Sequence, residues 1–91
     1  MEQDCTIIAL TEPKLIEGDF STSIMGMDVY EFVGRIYFPK QMPRCDCRFE
    51  AIKDVVPQID KIHENTTFEA KVKFENGKYS LLEIDSIENN P

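Results

Sequence analysis

Residues 67–87, TFEAKVKFENGKYSLLEIDSI, contain the clearest strand pattern of the chain. From Phe68 to Phe74 every second residue is apolar and the residues between them are polar, which is the pattern of a strand with one buried face. Asn76-Gly77 follows, and this pair favours a two-residue hairpin turn. In the returning segment the apolar parity slips between Leu81 and Leu82, which predicts a bulge or a strand buried on both faces. The stretch therefore predicts an antiparallel hairpin.

In the segment before this hairpin, the spacing of the apolar residues changes from that of a strand to that of a helix. Val55, Ile59 and Ile62 recur at the i, i+4 and i+7 spacing of a helix. Asp54 is a suitable N-cap, and Pro57 falls in the first turn, where its missing N–H costs little. We therefore expect a helix of about ten residues between positions 54 and 64.

Three more strands are predicted further towards the N-terminus. Residues 29–38 alternate around Gly34, and a glycine inside a strand often marks a bulge or a sharp bend. Residues 45–52 alternate again, and residues 4–10 are rich in β-branched side chains. A long loop, 11–28, contains at most a short strand. The predicted inward faces carry most of the phenylalanines, which we assign to the core: Phe32, Phe38, Phe49, Phe68 and Phe74.

The order of elements is strand, long loop, strand, strand, short helix, strand, tight hairpin, strand. This order resembles the OB-fold, a mainly β, five-stranded and partly open barrel. The resemblance is one of topology over most of the chain, and no residue motif identifies a family. SH3-like barrels and open α+β sheets also accommodate part of the pattern. For an OB-fold, the resemblance implies a ligand surface on the second and third strands, flanked by the loop after the first strand.

Length and composition predict one domain, residues 1–91, with frayed ends at 1–3 and 88–91. The formal net charge of −7 opposes unspecific attraction to nucleic acids and anionic membranes. No secretion signal and no membrane-length apolar run is visible, and three cysteines do not make a closed disulfide framework. We expect a cytoplasmic protein that does not enter a membrane.

The positive charge of the chain is concentrated between Arg35 and Lys53, a band with a local net charge of +3. On the predicted strands, Arg35 and Tyr37 point outward beside Arg48, with further cations in the connection between them. Cations beside an exposed aromatic ring suit single-stranded nucleic acid. Cross-strand pairing of the arginines with Glu31, Asp46 or Glu50 is the simpler interpretation. The candidate binding face consists of Arg35, Tyr37, Lys40, Arg44 and Arg48.

A second candidate surface lies in the long loop, where apolar side chains stand among small polar residues. Methionine is a pliable contact residue that suits adaptable protein interfaces, although the same residues could instead plug one end of the barrel. The candidate interaction loop consists of Phe20, Ile24, Met25 and Met27.

Catalytic and metal chemistry find little support in the sequence. Cys45 and Cys47 share one face of a strand, so we interpret them and Cys5 as small apolar core residues rather than zinc ligands. The single histidine, His63, is expected at the surface. No nucleophile motif or phosphate-binding glycine loop is present. We expect no enzyme activity, no cofactor, no metal and no small-molecule substrate.

The sequence thus predicts a non-catalytic binding module: a small accessory or protein-interaction subunit in nucleic-acid-handling machinery. Two alternatives remain open. One is direct binding of single-stranded DNA or RNA through the basic face. The other is an acidic inhibitor that mimics nucleic acid through carboxylates at both ends of the chain: Glu2, Asp4, Glu83, Asp85 and Glu88.

Overall fold

The computed structural model describes residues 2–16, 28–38, 46–75 and 77–88, which form a closed β-barrel of five long strands and one short strand. The strands are β1 (Glu2–Ala9), β2 (Lys14–Leu15), β3 (Val29–Phe38), β4 (Asp46–Ile52), β5 (Thr67–Glu75) and β6 (Lys78–Glu88). The ends of the first and last strands include Glu2, Gln3 and Glu88, which the sequence had assigned to frayed termini.

The barrel is closed because β1 pairs with strands on both of its sides. Around the barrel the order is β1, β5, β6, β4 and β3, and β3 pairs back onto β1. These pairings are antiparallel except for the parallel contact of β4 with β6, where Phe49 pairs with Tyr79 and Glu50 with Ser80. The mainly β fold class and the OB-like barrel are confirmed, with the barrel closed rather than partly open.

The hairpin formed by β5 and β6 has the form that the sequence predicts. Glu75 pairs with Lys78, so the turn has two residues, and Gly77 adopts φ of 80°. This left-handed conformation is readily adopted by glycine. The β5–β6 register shifts at Leu82, which confirms the predicted bulge, and shifts again at Asp85. Bulges of this kind add twist and help a sheet to curl.

The predicted helix is shorter and of a different type. Residues Pro57–Lys61 form a 3₁₀ helix with Val56 at its N-cap and no side-chain cap, so the assignment of Asp54 was wrong. Ile59 N–H donates to the Val56 carbonyl, and Ile62 N–H donates to the Ile59 carbonyl. With three residues per turn, Val56, Ile59 and Ile62 fall on one face, and each is 1% exposed.

The core fills the barrel from the inward faces of the strands. Phe32, Phe49 and Phe68 are buried as predicted, but Phe74 is 52% exposed, so its assignment to the core was wrong. Its position has the inward parity of β5 but lies beside the hairpin, where the barrel ends. The side chain of Phe38 lies outside the described part of the structure.

The bend expected at Gly34 lies elsewhere in β3. The β3–β4 register runs unbroken past Gly34, whereas the β1–β3 register passes from Phe38 to Ile36 and skips Tyr37. Gly34 is buried against the rings of Phe32 and Phe49, so the glycine permits close packing inside the barrel.

Candidate functional site

The outer face of β3 and β4 carries those predicted site residues that the structure describes. Arg35 and Tyr37 of β3 and Arg48 of β4 are all exposed there. Lys40 and Arg44 lie outside the described residues. We call this surface the β3–β4 face; its described residues are Glu31, Val33, Arg35, Tyr37, Asp46, Arg48 and Glu50.

One of the arginines of this face, Arg35, forms an ion pair with Asp46. Arg35 lies opposite Asp46 in the β3–β4 ladder, and its Nε and Nη2 donate to Asp46 Oδ1 at 3.0 and 2.8 Å. About half of each side chain is exposed, so the pair contributes no more than about 1 kcal/mol to stability. The guanidinium is nevertheless neutralised where it would meet a ligand. This is the cross-strand pairing that the sequence left as the simpler interpretation of Arg35.

Acidic side chains outnumber the arginines on the described part of the face. Glu31 and Glu50 lie opposite each other in the ladder, so Arg35 and Arg48 share the face with three carboxylates. On the flanking strands, Lys14 of β2 lies opposite Glu31 in the strand register. The Nζ of Lys78 on β6 forms an ion pair with Glu50 Oε1. The described cations are thus mixed with acids rather than gathered into a positive patch.

Arg48 and Tyr37 are the side chains of this face that are most available to a ligand. Arg48 is exposed beside Val33 and forms no ion pair with any residue that the structure describes. Tyr37 is 41% exposed and lies at the bulge in β3, where the extra residue locally alters the direction of the strand. An exposed aromatic ring on a rigid strand offers contact area at little cost in conformational entropy.

The candidate interaction loop is not part of this geometry, because Phe20, Ile24, Met25 and Met27 lie outside the described residues. The described start of the same long connection is tied to the barrel. The Val33 N–H donates to Thr11 Oγ1 at 3.0 Å.

The next side chain of that connection, Glu12, bridges to the turn after the 3₁₀ helix. Its Oε1 accepts the backbone N–H of Glu64 at 2.7 Å, and its Oε2 lies 3.2 Å from Nδ1 of His63. The Glu64 N–H, followed by His63, holds the pKa of the Glu12 carboxyl below its usual range. His63 is exposed, as predicted.

Among the residues that the structure describes, Phe74 is an exposed aromatic side chain that the sequence had assigned to the core. Its ring packs edge-on against Tyr79, with centroids 4.7 Å apart, and Tyr79 stacks on Phe49 at 5.3 Å. Phe49 in turn stacks on Phe32 at 5.1 Å. A row of rings therefore runs from the core to the surface. The signal for it was the position of Phe74 as the last inward residue before the Asn76-Gly77 turn.

The outer face of β1, β5 and β6 is acidic but contains lysines. In the strand register Glu2 of β1 lies opposite Lys73 of β5. Lys71 of β5 lies opposite Asp4 of β1 on one side and Glu83 of β6 on the other. Beside them, Asp4, Glu69 and Asp85 line a groove of about 430 Å³. The lysines interrupt the run of negative charge that a mimic of nucleic acid would need.

The described cysteines lie on the inward side of the barrel. Cys5 is buried, and burial, with a smaller contribution from the Asp4 carboxylate, raises the pKa of its thiol to about 12. The thiol is therefore protonated and a poor nucleophile at neutral pH. Cys47 is half-buried against the core, and Cys45 lies outside the described residues. Within the described ranges, no three histidine, cysteine or acidic side chains cluster in a way that could hold a metal ion.

Comparison with known proteins identifies no relative: no family model, no curated protein and no solved structure matches the chain. In the ranges that the structure describes, none of the helical segments has the length and apolar character needed to span a bilayer.

Proposed function

We propose that the chain is a non-catalytic interaction module that binds a protein partner through the β3–β4 face. The observation that carries this proposal is the charge balance of the face. Arg35 is paired with Asp46, and Glu31 and Glu50 lie beside Arg48. Protein interfaces commonly combine an exposed aromatic residue and arginine with a polar rim of both signs. Tyr37 and Arg48 supply those two residue types here.

Direct binding of single-stranded nucleic acid is the second candidate. It is favoured by the exposed ring of Tyr37 and by the exposure of Arg48. Binding of this kind also needs a continuous cationic track for the phosphates. The three carboxylates on the described part of the face oppose such a track, so we rank this function below protein binding.

The size and the OB-like barrel suit an accessory subunit, and we extend the proposal to a role in nucleic-acid-handling machinery without direct contact with the strand. We also place the module in the cytoplasm, because Cys5 is a free buried thiol and the chain has three cysteines. No catalytic role is proposed for any residue.

The first test is a titration of labelled twenty-nucleotide oligo(dT) with the purified chain between 25 and 300 mM NaCl. We expect no saturable binding at any salt concentration. Direct binding would weaken steeply as salt rises, and Arg48→Glu would weaken it further. Saturable binding with that salt dependence would overturn the protein-binding proposal in favour of the second candidate.

The second test introduces a photo-crosslinking amino acid in place of Tyr37 and, as a matched control, in place of Lys71 on the outer face of β5. Irradiation in the cells that make the protein should yield one defined protein adduct from position 37 and none from position 71. The adduct should diminish when Arg48→Glu is added. Equal adducts at both positions would show that the β3–β4 face is not the contact surface.

A further inference from the structure

The two ends of the barrel are built differently. At the end where β4 finishes and β5 begins, the 3₁₀ helix covers the core with Val56, Ile59 and Ile62, each 1% exposed. At the opposite end, where β5 turns into β6, Phe74 is 52% exposed although its position has inward parity. Half of a large apolar ring therefore faces solvent at an end where the barrel core reaches the surface.

The exposed ring is held in one place. Phe74 and Tyr79 are paired in the ladder next to the two-residue turn, and their rings meet edge-to-face at 4.7 Å and 68°. Tyr79 is fixed in turn by stacking on Phe49, which is fully buried. A ring supported in this way loses little further conformational freedom when a ligand covers it.

The charges beside Phe74 indicate what kind of ligand the ring suits. On β5, the Nζ of the neighbouring Lys73 lies 3.0 Å from Glu75 Oε1. At the start of β6, the Nζ of Lys78 contacts Glu50 Oε1. Both ammonium groups already have carboxylate partners, so they are poorly placed to receive phosphates. Since a single strand needs free cations beside its stacking ring, these surroundings favour an apolar side chain of a protein.

We propose that Phe74 anchors the protein partner by packing against an aliphatic or aromatic side chain of that partner. The proposal deepens the protein-binding function and rests on it. The hairpin adjoins the β3–β4 face, because Tyr79 pairs with Phe49 and the Lys78 Nζ reaches Glu50. A partner on that face can therefore contact Phe74 at its rim. A net charge of −7 opposes a second copy as the occupant.

The test uses a random twelve-residue peptide library displayed on phage and selected on the wild-type chain. Selected peptides are synthesised, and their Kd values are measured for the wild type, Phe74→Ala and Phe74→Thr. Thr retains strand propensity and keeps the test valid if Phe74→Ala unfolds. Val55→Ala is the matched control, since Val55 is equally exposed, at 52%, at the helix end. Arg48→Glu reports on the β3–β4 face.

We expect both folded Phe74 variants to bind at least about tenfold more weakly, as for a hot-spot residue, and Val55→Ala to bind within about twofold of the wild type. Replacing one apolar residue of the peptide by alanine should cause a similar loss. Peptides that need Arg48 but tolerate loss of Phe74 would overturn this inference and leave the proposed function standing. Failure to select any peptide, Phe74-dependent binding of oligo(dT), or a Phe74-dependent dimer in sedimentation would overturn it as well.

Discussion

Substitution of Gly34 by alanine tests how the barrel interior is packed. A Cβ at this position would lie 3.0 Å from Cε1 of Phe49, 3.1 Å from Cγ2 of Ile7 and 3.1 Å from Cε2 of Phe32. All three neighbours are at most 2% exposed, so none can move aside into solvent. The strain arises from crowding in the core.

The magnitude follows from two opposing effects. Overpacking a core by one methyl group typically costs about 1–3 kcal/mol. Replacing glycine by alanine also lowers the conformational entropy of the unfolded chain, which stabilises the protein by about 0.4–1 kcal/mol. Taking the middle of each range, we expect Gly34→Ala to lower the free energy of unfolding by about 1–2 kcal/mol. For a domain of this size, that corresponds to a fall in Tm of roughly 5–15 °C.

The assay is thermal unfolding, followed by circular dichroism, of Gly34→Ala, Phe49→Leu and the double variant. Because leucine lacks the Cε1 atom that crowds the new methyl group, the double variant should be more stable than the sum of the single losses. Gly77→Ala is the contrasting control. Its Cβ would meet nothing within 4 Å, but its φ of 80° costs about 1–2 kcal/mol with any Cβ. Phe49→Leu should not relieve that loss.

A Gly34→Ala protein as stable as the wild type would contradict this prediction, since the barrel would then have room for a methyl group at this point. Strict additivity with Phe49→Leu would refute it as well. In that case the loss, although real, would not come from contact with the ring.

Three smaller predictions concern the charged and titratable side chains. A double-mutant cycle with Arg35→Ala and Asp46→Ala should give a coupling of about 0.2–1 kcal/mol in chemical unfolding, because both side chains are half exposed. Iodoacetamide at pH 8 should modify Cys5 only upon unfolding. Folding raises the pKa of this thiol from 9.0 to about 12, so the free energy of unfolding should fall as pH rises between those two values. Glu12 has a lowered pKa in the folded state, so its contribution is present above the usual carboxyl pKa and is lost as pH falls through the folded value. The fall in Tm on acidification towards pH 3 should therefore be smaller in Glu12→Gln.

Local sequence patterns predicted most of the barrel. The alternation from Phe68 to Phe74, the Asn76-Gly77 pair and the parity slip at Leu82 each correspond to a feature of β5 and β6. The stripe of Val55, Ile59 and Ile62 misled the assignment of the helix, because its i, i+4 and i+7 spacing is that of an α-helix. In the structure Val56 replaces the exposed Val55, since three residues per turn bring it into line with Ile59.

The surface was less predictable because it depends on register between distant residues. That Arg35 faces Asp46 depends on the length of the connection between β3 and β4, which the charge pattern does not encode. Similarly, alternation assigned Phe74 to the inward face of β5 but did not show where the barrel ends. The local charge of +3 was a correct sum, yet it said little about which cations are neutralised by a neighbour.

The narrow parallel contact between β4 and β6 has a consequence for how the protein opens and folds. Phe49–Tyr79 and Glu50–Ser80 form a seam of two residue pairs, whereas the antiparallel pairings on either side of it extend along most of their strands. The barrel therefore consists of two hairpins joined along this seam on one side and by β1 on the other. Partial opening at the seam would preserve both hairpins and require little of the ladder to break. Because β1 pairs with β5 near the other end of the chain, we expect this long-range pairing to form slowly during folding.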